Sequence, residues 1–277
     1  MTGIQDTVRL HNGVHMPWVG LGVWQTPEGK QVEQAVLHAI GAGYRSIDTA
    51  TLYENEEGVG RAVRESGVKR DELFVTTKVW NADQGYENTL RAFEDSRRRL
   101  KLDVIDLYLV HWPVAGKYIE TYRALEKLYK DGYVRAIGVS NFMVPHLENL
   151  LAQAEIKPMV NQVEFHPRLT QPELQSFCKE QGIQLEAWSP LMQGHLDIPL
   201  LQELAAKYGK SPAQIVLRWD LQKGIVTIPK SVRKERIEEN ANLFDFELSD
   251  ADVAEIDALN EGKRFGRDPF TFWSTSA

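Results

Sequence analysis

Short runs of β-branched and other apolar residues alternate along the chain with longer stretches whose apolar positions recur every three or four residues. The first pattern predicts buried strands and the second amphipathic helices, because side chains repeat every second residue along a strand and about every 3.6 residues along a helix. Strands are predicted at residues 20–23, 46–48, 74–78, 106–110, 135–140, 159–164, 184–188 and 224–228, eight in all. Helices are predicted between them, among others at residues 86–100, 117–130, 171–181 and 211–223. The last carries Pro212 in its first turn, where a missing N–H leaves no hydrogen bond unmade.

No linker or low-complexity segment interrupts the alternation, which predicts one domain over residues 1–277 built on a parallel sheet. Eight βα units in about 250 residues match the size of a (β/α)8 TIM barrel. Residues 8–16 read as a β-hairpin around the Asn12-Gly13 turn, placed to plug the barrel bottom. An open doubly wound sheet is the alternative, since the periodicity does not report whether the sheet closes.

Candidate chemistry sits at the ends of the predicted strands. Asp48, Lys78 and His111 each close or follow such a run, and Tyr53 lies five residues beyond Asp48. In a closed parallel barrel the carboxyl ends of the strands face one mouth, so the four side chains would meet there. Together they suit carbonyl reduction. Lys78 beside Tyr53 favours the phenolate and so makes the phenol a better acid, with Asp48 holding Lys78 charged; His111 offers an N–H to orient a carbonyl oxygen. Taken singly, a strand-end Asp or Lys is an ordinary ion-pair partner and a His before Trp112-Pro113 an ordinary turn cap. Four such residues converging on one mouth carry the reading.

A reductase needs a hydride source, yet Gly20-Leu21-Gly22, Gly41-Ala42-Gly43 and Gly58-Val59-Gly60 all lack the third glycine of a Rossmann fingerprint. Gly209-Lys210-Ser211 resembles the end of a P-loop, but Leu204 occupies the earlier glycine position, so the segment reads as a joint between helices. Phosphate binding is better placed after the last strand, where Lys230, Ser231 and Arg236 lie at the start of a helix.

Composition narrows the function classes. A formal net charge of −7 over 277 residues argues against a broad nucleic-acid or anionic-membrane surface. No apolar run approaches the roughly 20 residues of a membrane span, and the first residues lack a signal-peptide pattern. The single cysteine, Cys178, permits no internal disulfide and suits a cytoplasmic location. No histidine pair has metal-ligand spacing, so no metal is expected, and His166 before Pro167 reads as a structural hydrogen-bonding residue. Trp24, Trp80 and Trp112 adjoin the strand-end motifs and are assigned, with His111, to the substrate pocket.

Over essentially its whole length the chain resembles an aldo-keto reductase. The resemblance rests on Gly20-Leu21-Gly22-Val23-Trp24, Asp48-Thr49-Ala50-Thr51-Leu52-Tyr53-Glu54-Asn55-Glu56, Lys78-Val79-Trp80, His111-Trp112-Pro113, Gly138-Val139-Ser140-Asn141-Phe142, Asn161-Gln162-Val163-Glu164-Phe165-His166-Pro167, Ser189-Pro190-Leu191 and Ile228-Pro229-Lys230-Ser231, in family order. It implies NADPH as cofactor and Asp48, Tyr53, Lys78 and His111 as the catalytic tetrad, with Tyr53 as proton donor. It also implies Ser140, Asn141 and Gln162 on the nicotinamide carboxamide, Trp188 stacked on its ring, and Ser189 and Leu191 along the pyrophosphate. Lys230, Ser231, Val232, Arg236, Glu239 and Asn240 would surround the adenosine 2′-phosphate end.

Within the family the chain resembles the bacterial glyoxal, methylglyoxal and 2,5-diketo-gluconate reductases, which implies small carbonyl substrates and a monomer. Trp188 stands where many relatives have Tyr, keeping the aromatic face and losing a hydroxyl. The C-terminal segment is short, running through Phe270-Thr271-Phe272-Trp273. Two alternatives remain open at this point: a Schiff-base aldolase using Lys78, and a non-catalytic nucleotide-binding regulatory protein of the same fold.

Overall fold

The computed structural model describes residues 1–272; Trp273, the end of the C-terminal segment read above, lies outside the described residues. Residues 7–17 form a hairpin of β1 (Thr7–Arg9) and β2 (His15–Pro17), paired antiparallel around the Asn12-Gly13 turn. Eight parallel strands follow: β3 (Gly20–Gly22), β4 (Ser46–Asp48), β5 (Phe74–Val79), β6 (Ile105–Val110), β7 (Val134–Ser140), β8 (Val160–Glu164), β9 (Gln184–Trp188) and β10 (Val226–Thr227), adjacent in space in chain order. The sheet curls back on itself. Bridges from Val19 to Thr227 and from Gly22 to Lys230 join the first barrel strand to the last, and Gly22 N–H donates to Pro229 O at 3.2 Å. Closure excludes the open-sheet alternative. Gly22 fits the seam because a Cβ there would meet Ile228 O at 2.9 Å.

Each barrel strand boundary falls within one residue of its expected place, apart from the start of the last strand, which is expected over residues 224–228. That element shortens to Val226–Thr227 because Gly224 takes a left-handed turn at φ 71° and Pro229 has no N–H to donate. Helices ring the barrel: α1 (Lys30–Gly41), α2 (Glu56–Glu65), α3 (Tyr86–Leu100), α4 (Tyr118–Lys130), α5 (Val144–Leu151), α6 (Pro172–Gln181), α7 (Pro199–Tyr208), α8 (Pro212–Gln222), α9 (Lys234–Ala241) and α10 (Asp250–Asp257). Gly209-Lys210-Ser211 joins α7 to α8, and Ser211 and Gln214 cap α8 reciprocally.

The hairpin packs at the amino ends of the strands. Met16 and Leu10 are buried in the core, His11 Nε2 lies 3.2 Å from Pro158 O, and Asn12 Nδ2 donates to Arg135 O at 3.0 Å. It therefore covers the barrel bottom, leaving the opposite mouth for chemistry. Among the described residues no helix is long and apolar enough to cross a membrane.

Candidate active site

Strand alternation decides which side chains enter the barrel. Asp48 pairs in register with Thr76, and Lys78 stands two residues further on, so both carboxylate and ammonium project inward near the mouth. Lys78 Nζ donates to Asp48 Oδ1 at 2.6 Å and to Thr49 O at 2.9 Å, and lies 3.3 Å from Tyr53 OH. Tyr53 ends a single 3-10 turn, Thr51–Tyr53, which folds the phenol back over the mouth. Its ring packs 4.9 Å from Trp24 and 5.8 Å from His111. His111 follows β6, and its ring meets Trp80 edge-on at 5.2 Å. All four residues of the expected tetrad thus share one site.

Electrostatics refines their roles. Burial is the largest single effect on Lys78 and works to lower its pKa, but the charge and hydrogen bond of Asp48, together with Tyr53 and Glu186, outweigh it and hold the ammonium above the ordinary lysine value. Burial pushes the Asp48 carboxyl up, opposed by Lys78 and by a hydrogen bond from Gln162. His111 is driven well below its ordinary value, first by burial and then by the Lys78 charge, so its imidazole is neutral and carries one N–H. Tyr53 corrects an expectation. Lys78 does act to acidify the phenol, but burial is the larger effect and Asp48 adds to it, so the phenol sits above its ordinary value.

Behind the tetrad, Gln162 on β8 reaches across the barrel to β4, its Nε2 donating to Asp48 Oδ2 at 2.7 Å. The same nitrogen donates to Glu186 Oε2 at 2.8 Å. Glu186 was not anticipated, although a charged residue between the apolar Leu185 and Ala187 at the centre of a strand is its sequence signal. Burial raises its carboxyl to about 8, with the Asp48 charge adding to the effect.

Ser140 ends β7 and Asn141 follows it, beside these groups. Ser140 Oγ donates to Gln162 O at 2.8 Å, and Asn141 Nδ2 donates to His111 O at 3.0 Å. Trp188 turns the loss of a tyrosine hydroxyl to use: its indole N–H donates to Asn141 Oδ1 at 2.8 Å. Asn141 and Ser189 both take left-handed backbone conformations, at φ 64° and 49°, where the chain turns out of the barrel. Leu191 is half-buried just beyond Ser189. Lys230 and Arg236 are exposed at the end of β10 and the start of α9, and neither forms an ion pair among the described residues. Ser231 accepts from Arg233 N–H at 3.1 Å, Val232 is half-buried, Asn240 is buried, and Glu239 is engaged by Ser211 Oγ.

The C-terminal segment reaches the same mouth. Phe272 packs 4.7 Å from Trp112 and 6.3 Å from Trp80, so those two tryptophans form one aromatic wall with the tail. Trp24, 46% exposed, stands opposite on Tyr53. A buried carboxylate anchors the tail: Glu164 accepts from Phe265 N at 2.6 Å, from Gly266 N at 3.1 Å, and faces His166 Nε2 at 3.1 Å. His166 is therefore a structural hydrogen-bonding residue, as its sequence context suggested. Gly266 is required where it stands, because a Cβ there would meet the Trp188 ring at 2.3 Å. Among the described residues no group of three or more His, Cys, Asp or Glu is arranged to hold a metal ion.

Known proteins share this architecture and sequence. The chain is 65% identical over 269 residues to the glyoxal reductase of Bacillus subtilis, covering 97% of this chain and 98% of that protein. It is 46% identical over 270 residues to the methylglyoxal reductase DkgA of Escherichia coli, covering 96% and 97%. The crystal structure of a Bombyx mori aldo-keto reductase in complex with NADP superposes with a TM-score of 0.89 at 38% identity, covering 94% of each chain. The model of the Aldo/keto reductase family matches residues 19–261. On this match, and on a barrel mouth holding the expected tetrad, the chain belongs to the aldo-keto reductase family.

Proposed function

We propose that this protein reduces small aldehydes and ketones to alcohols with NADPH. The substrates we assign are 2-oxoaldehydes such as methylglyoxal and glyoxal, aromatic aldehydes, and keto-sugar acids. The observation that carries the reading is the single ammonium of Lys78 held at 2.6 Å from Asp48 and 3.3 Å from the Tyr53 hydroxyl. The residues present fit the cofactor. Trp188 keeps a half-buried aromatic face beside Asn141, and the uncommitted cations Lys230 and Arg236 suit a 2′-phosphate. Ser140, Asn141 and Gln162 would hold the carboxamide, Ser189 and Leu191 the pyrophosphate, and Ser231, Val232, Glu239 and Asn240 the adenosine end.

Bound NADPH supplies the hydride that reaches the carbonyl carbon. The chain's own residues do the rest. Neutral His111 donates its N–H to the carbonyl oxygen and fixes the face presented to hydride. Tyr53 gives its proton to the developing alkoxide, and Lys78 stabilises the phenolate left behind. Asp48 keeps Lys78 charged throughout. Trp24, Trp80, Trp112 and Phe272 wall the substrate with apolar aromatic surface, which favours small or planar carbonyl compounds without demanding a hydroxyl pattern.

The geometry counts against a Schiff-base aldolase, because a lysine attacking a carbonyl must lose its proton and Asp48 holds Lys78 protonated. Monomeric action is part of the proposal, since the mouth is completed by residues of one chain. Loss of absorbance at 340 nm when NADPH and methylglyoxal are mixed with the protein tests the reading. No turnover with any 2-oxoaldehyde or aromatic aldehyde would refute it.

A further inference from the structure

Glu186 has no part in the chemistry just described, yet it is fully buried at the floor of the active site. It pairs in register with Gln162 on β8 and with Val226 on β10, and its side chain enters the barrel with theirs. Its partner there is the Gln162 amide nitrogen, at 2.8 Å. The same nitrogen lies 2.7 Å from Asp48, on the opposite wall of the barrel.

A primary amide nitrogen carries two protons, and here each is given to a different carboxyl group. Both donors are thereby committed, and the amide can neither swing nor turn over. Turning over would place the Gln162 carbonyl oxygen against the Asp48 carboxylate, an oxygen-to-oxygen contact with no proton between them. The oxygen is left as the one group of this side chain free to accept from a ligand.

We propose that Glu186 is a positioning residue for the nicotinamide end of the cofactor: with Asp48 it clamps the Gln162 amide so that its carbonyl oxygen meets the carboxamide NH2. The inference rests on the reading of this chain as an NADPH-dependent reductase. Lys78 and Asp48 are the charged groups facing Glu186 across the barrel interior, and Gln162 is its hydrogen-bonding neighbour. Burial and the Asp48 charge raise the Glu186 carboxyl to about 8, so near neutrality it acts as a neutral acceptor. Gln has nearly the same shape and the same acceptor, whereas Met has neither acceptor nor charge.

The test compares wild type, Glu186→Gln and Glu186→Met. Dissociation constants at pH 7 are read for NADPH and for its reduced 3-acetylpyridine analogue, in which a methyl group replaces the carboxamide NH2. Glu186→Met is expected to weaken NADPH about tenfold, the scale of one hydrogen bond, and the analogue less than about twofold. Glu186→Gln is expected to restore NADPH to within about twofold of wild type. Equal weakening of both ligands, or of neither, would overturn the proposal. If Met does not fold, Glu186→Val removes the acceptor with less volume and should show the same selectivity; failure of both to fold would make Glu186 a folding residue and likewise overturn it. A wild type that neither binds NADPH nor oxidises it with methylglyoxal would refute the functional reading itself, whatever the variants do.

Discussion

Replacing Tyr53 by Phe removes one hydroxyl, and the structure defines how little else should change. The ring keeps its packing against Trp24 at 4.9 Å and His111 at 5.8 Å. Lys78 loses a contact of 3.3 Å but retains Asp48 at 2.6 Å and Thr49 O at 2.9 Å, so no buried charge is left unpaired. The stability cost is therefore that of one long hydrogen bond, about 0.5–1.5 kcal/mol. The catalytic cost is far larger. Proton donation by a positioned group contributes about 10²- to 10⁴-fold, or roughly 2.7 to 5.5 kcal/mol of barrier. Because the phenol lies toward the substrate, NADPH affinity should stay within about twofold, so the loss falls on kcat rather than on cofactor binding. The assay is NADPH oxidation at 340 nm with methylglyoxal, beside a cofactor titration by fluorescence quenching. Turnover within about tenfold of wild type would show that the proton comes from elsewhere, His111 being the nearest other donor.

Arg236→Ala should weaken NADPH by about ten- to a hundredfold and leave NADH little changed, since a charge-assisted contact to the 2′-phosphate is lost; equal losses in parallel titrations would mean that this basic turn does not read the phosphate. Trp24→Ala, at a position 46% exposed, should reorder kcat/KM among aldehydes while leaving NADPH affinity unchanged. A preference for one compound over all 2-oxoaldehydes by about four orders of magnitude would instead point to specific polar contacts. Glu186→Gln should raise stability increasingly as pH rises. In the folded protein the Glu186 carboxyl keeps its proton to about pH 8, whereas the unfolded chain releases it near 4.3, so stability is greatest below about pH 4 and falls until about pH 8. The full span is of order 5 kcal/mol, and parallel melting-temperature curves for wild type and variant between pH 5 and 9 would contradict it.

Much of this architecture was legible in the chain because it is set by local rules. Strand and helix periods, the Asn12-Gly13 turn and the Pro212 helix start each depend on neighbours a few residues away, and the elements fall close to where those rules place them. The tetrad was legible for the same reason, since residues at successive strand ends of a parallel barrel must share a mouth. Three features required the closed barrel. Gln162 touches Asp48 only because curling brings β8 opposite β4, across 114 residues of chain. The tail finds Glu164 only once residues 265 and 266 are folded back over β8, a contact that no periodicity encodes. Tyr53 is held above its ordinary pKa because desolvation depends on everything packed around the phenol, whereas the sequence displays only the neighbouring charge that opposes it.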